Sequence, residues 1–147
     1  MPLREEMDFL DHYLAIEQIR FGDRLRIEKQ IEPPLMAAQV PVLILQPLVE
    51  NAIKHGIEKK LGPGVVTITA SSTDKTLLLQ VRDNGRGLQT TIGGQVSEGV
   101  GLSNIRARLR ELAGDAASLQ INSPAEGGFV AEIRLPWRTI PSRASQA

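Results

Sequence analysis

The chain has 147 residues, no cysteine, 41% hydrophobic residues and a formal net charge of zero from seventeen basic and seventeen acidic side chains. This size and composition fit one domain with a real core; balanced charge and only five aromatic residues argue against a nucleic-acid partner. Without cysteine there are no disulfides, thiolate metal sites or cysteine nucleophiles, and no stretch approaches the roughly 18 apolar residues of a membrane span.

Met1-Pro2-Leu3-Arg4-Glu5-Glu6 turns acidic too early for a secretory signal, so the sequence reads as a soluble chain suited to a reducing compartment. Leu3, Met7, Leu10 and Leu14 form one helical stripe, and Phe9, Tyr13 and Ile16 form a second beside it. So wide an apolar surface predicts a helix that packs on its own domain and on something else. Gly22 is a left-handed stop. Leu25, Ile27 and Ile31 alternate with charge as in a half-exposed strand, ended by Pro33-Pro34. Val42 to His55 predicts a helix closing at Gly56; with Pro47 inside, either it kinks there or its regular part begins near Gln46.

After a turn at Gly62-Pro63-Gly64, Val65–Ser71 and Leu77–Val81 predict a hairpin joined through Thr73-Asp74-Lys75. From Asp83 to Gly101 glycine recurs in a polar setting, which predicts a mobile loop. Leu102, Ile105, Leu109 and Leu112 mark a helix stopping at Gly114, with Arg106, Arg108 and Arg110 on its other faces. Ser118–Asn122 and Phe129–Leu135 are two further strands, separated by Gly127-Gly128. Residues 138–147 read as a disordered tail. Five strands and three helices predict an α+β fold, a two-layer sandwich on a mostly antiparallel sheet.

Three polar clusters interrupt this apolar pattern. Glu50-Asn51 and Lys54-His55 fall on the middle helix, where residues three and four apart share a face. A carboxamide oxygen, a cation and an imidazole there could hold a metal-bound polyphosphate, or form an ordinary solvated face. Asp83-Asn84-Gly85-Arg86-Gly87 ends an apolar strand. A carboxylate held there can accept a hydrogen bond from an exocyclic amine such as that of adenine, with glycines admitting a flat base; a plain Asp-Asn-Gly turn has the same composition. Gly99-Val100-Gly101-Leu102-Ser103-Asn104 runs into a helix, whose free N–H groups can bind phosphate oxygens.

In this order the three clusters resemble the N, G1 and G2 boxes of the GHKL (Bergerat) nucleotide-binding fold, shared by histidine kinases, gyrase-type topoisomerases, Hsp90 chaperones and mismatch-repair ATPases. Tyr13-Leu14-Ala15-Ile16-Glu17, Arg20-Phe21, the block Leu45 to Gly56, and Gly101-Leu102-Ser103-Asn104 with Arg108-Leu109 look like LytS-type sensor histidine kinases. The resemblance extends over nearly the whole chain, from Leu3 to Pro136. It implies that Asn51 ligates magnesium, that Lys54 and His55 lie near the phosphates, and that Asp83 binds the adenine amine. Gly85 and Gly87 would line the base pocket; Gly99, Gly101 and Leu102 would form the lid hinge and the floor under the nucleotide. Arg108 could reach a phosphate, although a solvated arginine face is the favoured reading.

The implied activity is transfer of the ATP γ-phosphoryl group to a histidine on an upstream domain outside this chain. Residues 1–22 would lead in from that acceptor and dimerisation region, and 23–137 would be the catalytic domain. The implied setting is the cytoplasmic part of a bacterial inner-membrane sensor, homodimeric at full length and paired with a response regulator of the LytTR type. A GHKL serine kinase of the anti-sigma-factor type and a non-catalytic ATP-gated binding module are the alternatives. Three departures bear on these roles. Pro47 stands where the ATPases of the superfamily carry a glutamate base, which disfavours hydrolysis and leaves Glu50 the nearby carboxylate, with Glu50 and His55 as candidates for a catalytic part. Phe129 replaces a threonine that braces the aspartate in many relatives, so that Asp83 would lean on water or backbone. The phospho-acceptor motif Pro-His-Phe-x-Phe-Asn is absent.

Overall fold

A computed structural model describes residues 1–41, 43–57, 62–85, 100–123 and 128–136. Of the predicted loop from Asp83 to Gly101, residues 86–99 lie outside them, as does the predicted tail. Helix α1 spans Leu3–Phe21, with Leu3, Met7, Leu10 and Leu14 buried as the first stripe requires. Its second stripe divides: Tyr13 packs against the core, whereas Phe9, Ile16 and the neighbouring Ile19 are 50%, 65% and 86% exposed. Gly22 ends the helix with a φ of 60°, its N–H donating to the Gln18 carbonyl; a Cβ there would meet the steric penalty of the left-handed region.

Strand β1 is Leu25–Ile31, β2 Gly64–Thr73, β3 Thr76–Asp83, β4 Ser118–Asn122 and β5 Phe129–Pro136. They form one sheet in the order β1-β2-β3-β5-β4, parallel between β1 and β2 and antiparallel elsewhere. Period-two alternation sets its two faces. Val66, Ile68 and Ala70 on β2, Leu77, Leu79 and Val81 on β3, and Phe129, Ala131, Ile133 and Leu135 on β5 are all buried, and the register aligns them in rows. The residues between them are half-buried or exposed.

The helices pack on the buried face and share one core with it. Helix α2 begins at Gln46 and runs to Asn51, then widens into a π-helical turn over Ala52–Ile57. The helix therefore starts four residues after Val42 and ends one past Gly56. Pro47 sits in its first turn, where a missing N–H breaks no helical bond, so the residue initiates the helix instead of kinking it. Helix α3 spans Val100–Ala113, with Leu102, Ile105 and Leu109 buried. Leu112 is 57% exposed, because it lies in the last turn and at the margin of the stripe set by the other three.

Candidate functional site

Asp83 is the last residue of β3 and follows Leu77, Leu79 and Val81 on the buried face. The register places it between Val66 of β2 and Phe129 of β5. It is 3% exposed, and burial among apolar neighbours pushes its pKa from 3.8 up to about 6, against the opposing pull of a hydrogen bond from the Gly85 N–H. That N–H donates to Oδ1 at 2.8 Å. Backbone thus braces the carboxylate, and Phe129 supplies bulk at the neighbouring register position. Asn84 ties the end of β3 back to β2. Its side-chain oxygen accepts from the Val65 N–H at 2.7 Å, and its own N–H donates to the Val65 carbonyl at 3.2 Å. The Asp-Asn-Gly segment is therefore both a turn and the holder of a buried acceptor.

The backbone at the end of β3 is approached closely by Gly128, which has a φ of 94°. A Cβ built there would lie 2.4 Å from the Asp83 carbonyl oxygen. Only a residue without a side chain lets β5 begin so close to the end of β3.

Asn51 closes the regular part of α2, and the π-helical turn carrying Lys54 and His55 packs against β2 and β3. A π turn displaces the following residues from α-helical spacing, a feature common at functional sites. Asn51 is half-buried, and among the described residues its carboxamide has no hydrogen-bond partner. Lys54 is exposed, as is Glu50, whose Oε1 accepts from Gln46 Nε2 at 3.1 Å. Helix α2 also packs against α3, so the structure brings the N-box helix beside the strand ending in Asp83 and beside the helix that Gly101 and Leu102 open. Leu102 is 6% exposed and belongs to the core. The described residues place Asp83, Asn51, Lys54, Glu50, Gly85 and Leu102; Gly87 and Gly99 lie outside them.

Two arginines of α3 behave differently from a solvated face. Arg106 donates to the Leu119 carbonyl at 2.6 Å and Arg108 to the Leu43 carbonyl at 3.0 Å, and both are half-buried. Each satisfies a carbonyl outside its own helix, and so fastens α3 to β4 and to the segment before α2. Two residues emerge only from the structure. Glu6 is fully buried, and its signal in the sequence is a carboxylate three residues after Leu3 and four before Leu10, inside the apolar stripe. Gly128 looks from sequence like no more than part of a connection between strands.

Magnesium binds hard oxygen ligands and commonly takes one or two from protein, the rest from water and phosphate. Asn51 fits such a role, since its carboxamide oxygen has no partner among the described residues. No group of three or more acidic, histidine or cysteine side chains that could cage a metal occurs among the described residues. No helix among them is long and apolar enough to cross a membrane.

Comparison with known proteins agrees with this geometry. Residues 38–139 match the family described as histidine kinase-, DNA gyrase B- and HSP90-like ATPase. The sensor histidine kinase BtsS of Escherichia coli K12 is 36% identical over 94% of this chain and 24% of its own length. Sensor protein LytS of Bacillus subtilis 168 is 33% identical over 95% of this chain and 25% of its own length. The chain thus spans about a quarter of these relatives. Among solved structures, the histidine kinase domain of the Erythrobacter litoralis EL346 blue-light activated kinase superposes with a TM-score of 0.68 at 21% identity, covering 92% of this chain and 61% of that one. The catalytic domain of histidine kinase ThkA gives 0.66 at 14% identity, covering 95% and 97%. The sheet order, the aspartate ending β3 and the asparagine on α2 thus sit in a chain that belongs to the histidine kinase-, gyrase B- and HSP90-like ATPase family.

Proposed function

We propose that this chain is the ATP-binding catalytic domain of a two-component sensor histidine kinase. It would hold Mg·ATP and pass the γ-phosphoryl group to an imidazole on an upstream segment of the same protein. The observation that carries the reading is Asp83, a buried carboxylate closing the buried face of the sheet. An ionised carboxylate only accepts hydrogen bonds. It therefore suits the 6-amino group of adenine and opposes the carbonyl that guanine presents at the same place.

The roles of the remaining residues are those that the resemblance to the nucleotide-binding family implies. Gly85 and Gly87 admit the base, and Asn51 takes magnesium through its carboxamide oxygen. Lys54 and His55 attend the phosphates; Gly99, Gly101 and Leu102 form the hinge and floor where α3 starts. Magnesium, when bound with the nucleotide, neutralises phosphate charge and orients the leaving group. The chain's own work in such a transfer is positioning. A neutral imidazole nitrogen brings its own lone pair to the γ-phosphorus as the bond to the β,γ-bridging oxygen breaks and ADP leaves. No base need activate it, so the absence of a proton acceptor at Pro47 suits this acceptor better than water; Glu50 is the remaining carboxylate near the transfer.

The names of the relatives, a sensor histidine kinase and a sensor protein each matched over nearly all of this chain, support the wider setting. In that setting the full-length protein is a homodimer at the bacterial inner membrane, this domain is cytoplasmic, and the phosphoryl group passes on to a response regulator of the LytTR type. Residues 1–22 lead from the acceptor region into the catalytic domain at 23–137, and the exposed Phe9, Ile16 and Ile19 are suited to contacts with that region. Calorimetric titration with Mg·ATP and Mg·GTP tests the nucleotide assignment. ATP should bind more tightly by roughly 1–3 kcal/mol, the scale of a charge-assisted hydrogen bond in a buried site. Equal affinities would remove Asp83 from base recognition.

A further inference from the structure

Glu6 and Asp83 are the two charged side chains buried among the described residues, and the nucleotide reading uses only Asp83. The Glu6 carboxylate lies against the segment that leads into α2. Its Oε1 accepts from the Leu43 N–H at 3.0 Å, and its Oε2 from the Leu45 and Gln46 N–H groups at 2.7 and 3.3 Å. N–H groups at a helix start have no partner inside the helix, and no side chain of the segment itself caps α2. Glu6 supplies the cap from a different helix, almost forty residues earlier in the chain.

The same segment is held from its other side. Arg108 of α3 donates to the carbonyl of Leu43, whose N–H Glu6 already takes. Leu43 has a φ of 54° and is 42% exposed. A bulky residue in the left-handed region persists only where its surroundings over-determine it, and here its exposed side chain contributes little. The two polar contacts fix the peptide. One backbone unit thus joins α1, the start of the helix bearing Asn51, and the helix opened by Gly101 and Leu102.

We propose that Glu6 is a positioning residue for the phosphate side of the nucleotide site: with Arg108 it clamps the Leu43 peptide, and the clamp sets where α2 presents Asn51. This rests on the reading of Asn51 as the magnesium ligand. Asp83 is placed by the sheet, which the clamp does not touch, so the base side of the site keeps its geometry when the clamp is loosened.

Glu6→Gln preserves shape but replaces one acceptor oxygen by a donor, which then faces an N–H. Titrations of wild type and variant with Mg·ATP and with magnesium-free ADP separate the two sides of the site. Glu6→Gln should weaken Mg·ATP about tenfold, the scale of losing a support behind a metal ligand, and change magnesium-free ADP less than about twofold. In an Asn51→Ala background it should cause no further loss. Amide exchange of the free protein should quicken at Leu43, Leu45 and Gln46. Arg108→Gln, a change at a half-exposed position, should show the same pattern and carries the test should Glu6→Gln fail to fold. Equal loss for both ligands, loss persisting without Asn51, or unchanged Mg·ATP binding would overturn the clamp. A wild-type chain that ignores Mg·ATP, or Asn51→Ala that binds it normally, would sink the nucleotide reading instead, while the exchange data would still report on the clamp alone.

Discussion

Asp83→Asn exchanges a buried carboxylate for a neutral carboxamide of the same shape. The folded pKa of Asp83 is raised from 3.8 to about 6 by burial, so the folded state binds this proton more tightly than the unfolded state does. Stability from this group is therefore full below pH 4, falls as pH rises through the window from about 4 to 6, and is absent above it. At roughly 1.4 kcal/mol per pH unit, an ionised Asp83 costs the free protein about 3 kcal/mol near neutrality. Asparagine removes that cost and keeps the acceptor for the Gly85 N–H, but its amide N–H groups then need partners of their own. A net gain of about 1–2 kcal/mol is expected, or about 3–6 °C in Tm for a chain of this size. ATP should respond in the opposite sense, binding about ten- to a hundredfold more weakly because the adenine amine loses its charged acceptor. Thermal unfolding of the nucleotide-free protein near pH 7.5 and pH 5, with calorimetry at neutral pH, measures both. The stability gain should shrink at the lower pH, where wild-type Asp83 is largely neutral. A variant that is destabilised near pH 7.5, or that binds ATP as tightly as wild type, would refute the reasoning.

Wild-type affinity for ATP should fall as pH drops below about 6, since binding must then release the Asp83 proton; titrations in two buffers of different ionisation heat would reveal that release, and its absence would count against the role. Gly128→Ala should destabilise the protein by about 2–4 kcal/mol, because a Cβ 2.4 Å from the Asp83 carbonyl oxygen and a φ of 94° both oppose it; denaturant unfolding with an unchanged midpoint would contradict this. Asn51→Ala should leave Tm within about 2 °C, as its carboxamide has no described partner, yet lower Mg·ATP affinity at least about tenfold. The chain alone, incubated with ATP, should stay unphosphorylated at His12, which is exposed on α1 with Nδ1 against the Asp8 carbonyl at 2.8 Å, as mass spectrometry under alkaline conditions would show.

How far the sequence can be read depends on whether each feature is local. The α1 stripe, the Gly22 stop and β1 follow from spacing within one element, and the structure reproduces them. Pro47 admits two readings, because a proline in a first turn and a proline at a kink look alike from neighbouring residues. The carboxylate that decides between them belongs to Glu6, on another helix. The π turn after Asn51 is invisible for a related reason: burial of Ile53 and Ile57 is equally compatible with α-helical spacing. Asp83 is legible as a charge ending an apolar strand. Its raised pKa is not, since that depends on Val66 and Phe129, which only the sheet register brings to its sides. Arg108 passes for a solvated side chain because its partner, the Leu43 carbonyl, lies sixty-five residues away.

The central claim is that this fold carries a phosphoryl group from ATP to an upstream histidine. Its most direct test mixes the chain with γ-labelled ATP, magnesium and a separate fragment bearing the upstream acceptor helix. Label should move to that fragment as an acid-labile, alkali-stable phosphohistidine, slowly, because cutting the tether lowers the effective concentration of the acceptor, and Asp83→Asn should suppress it. Acid-stable label, or ATP bound with no transfer while the longer protein is itself active, would contradict the account.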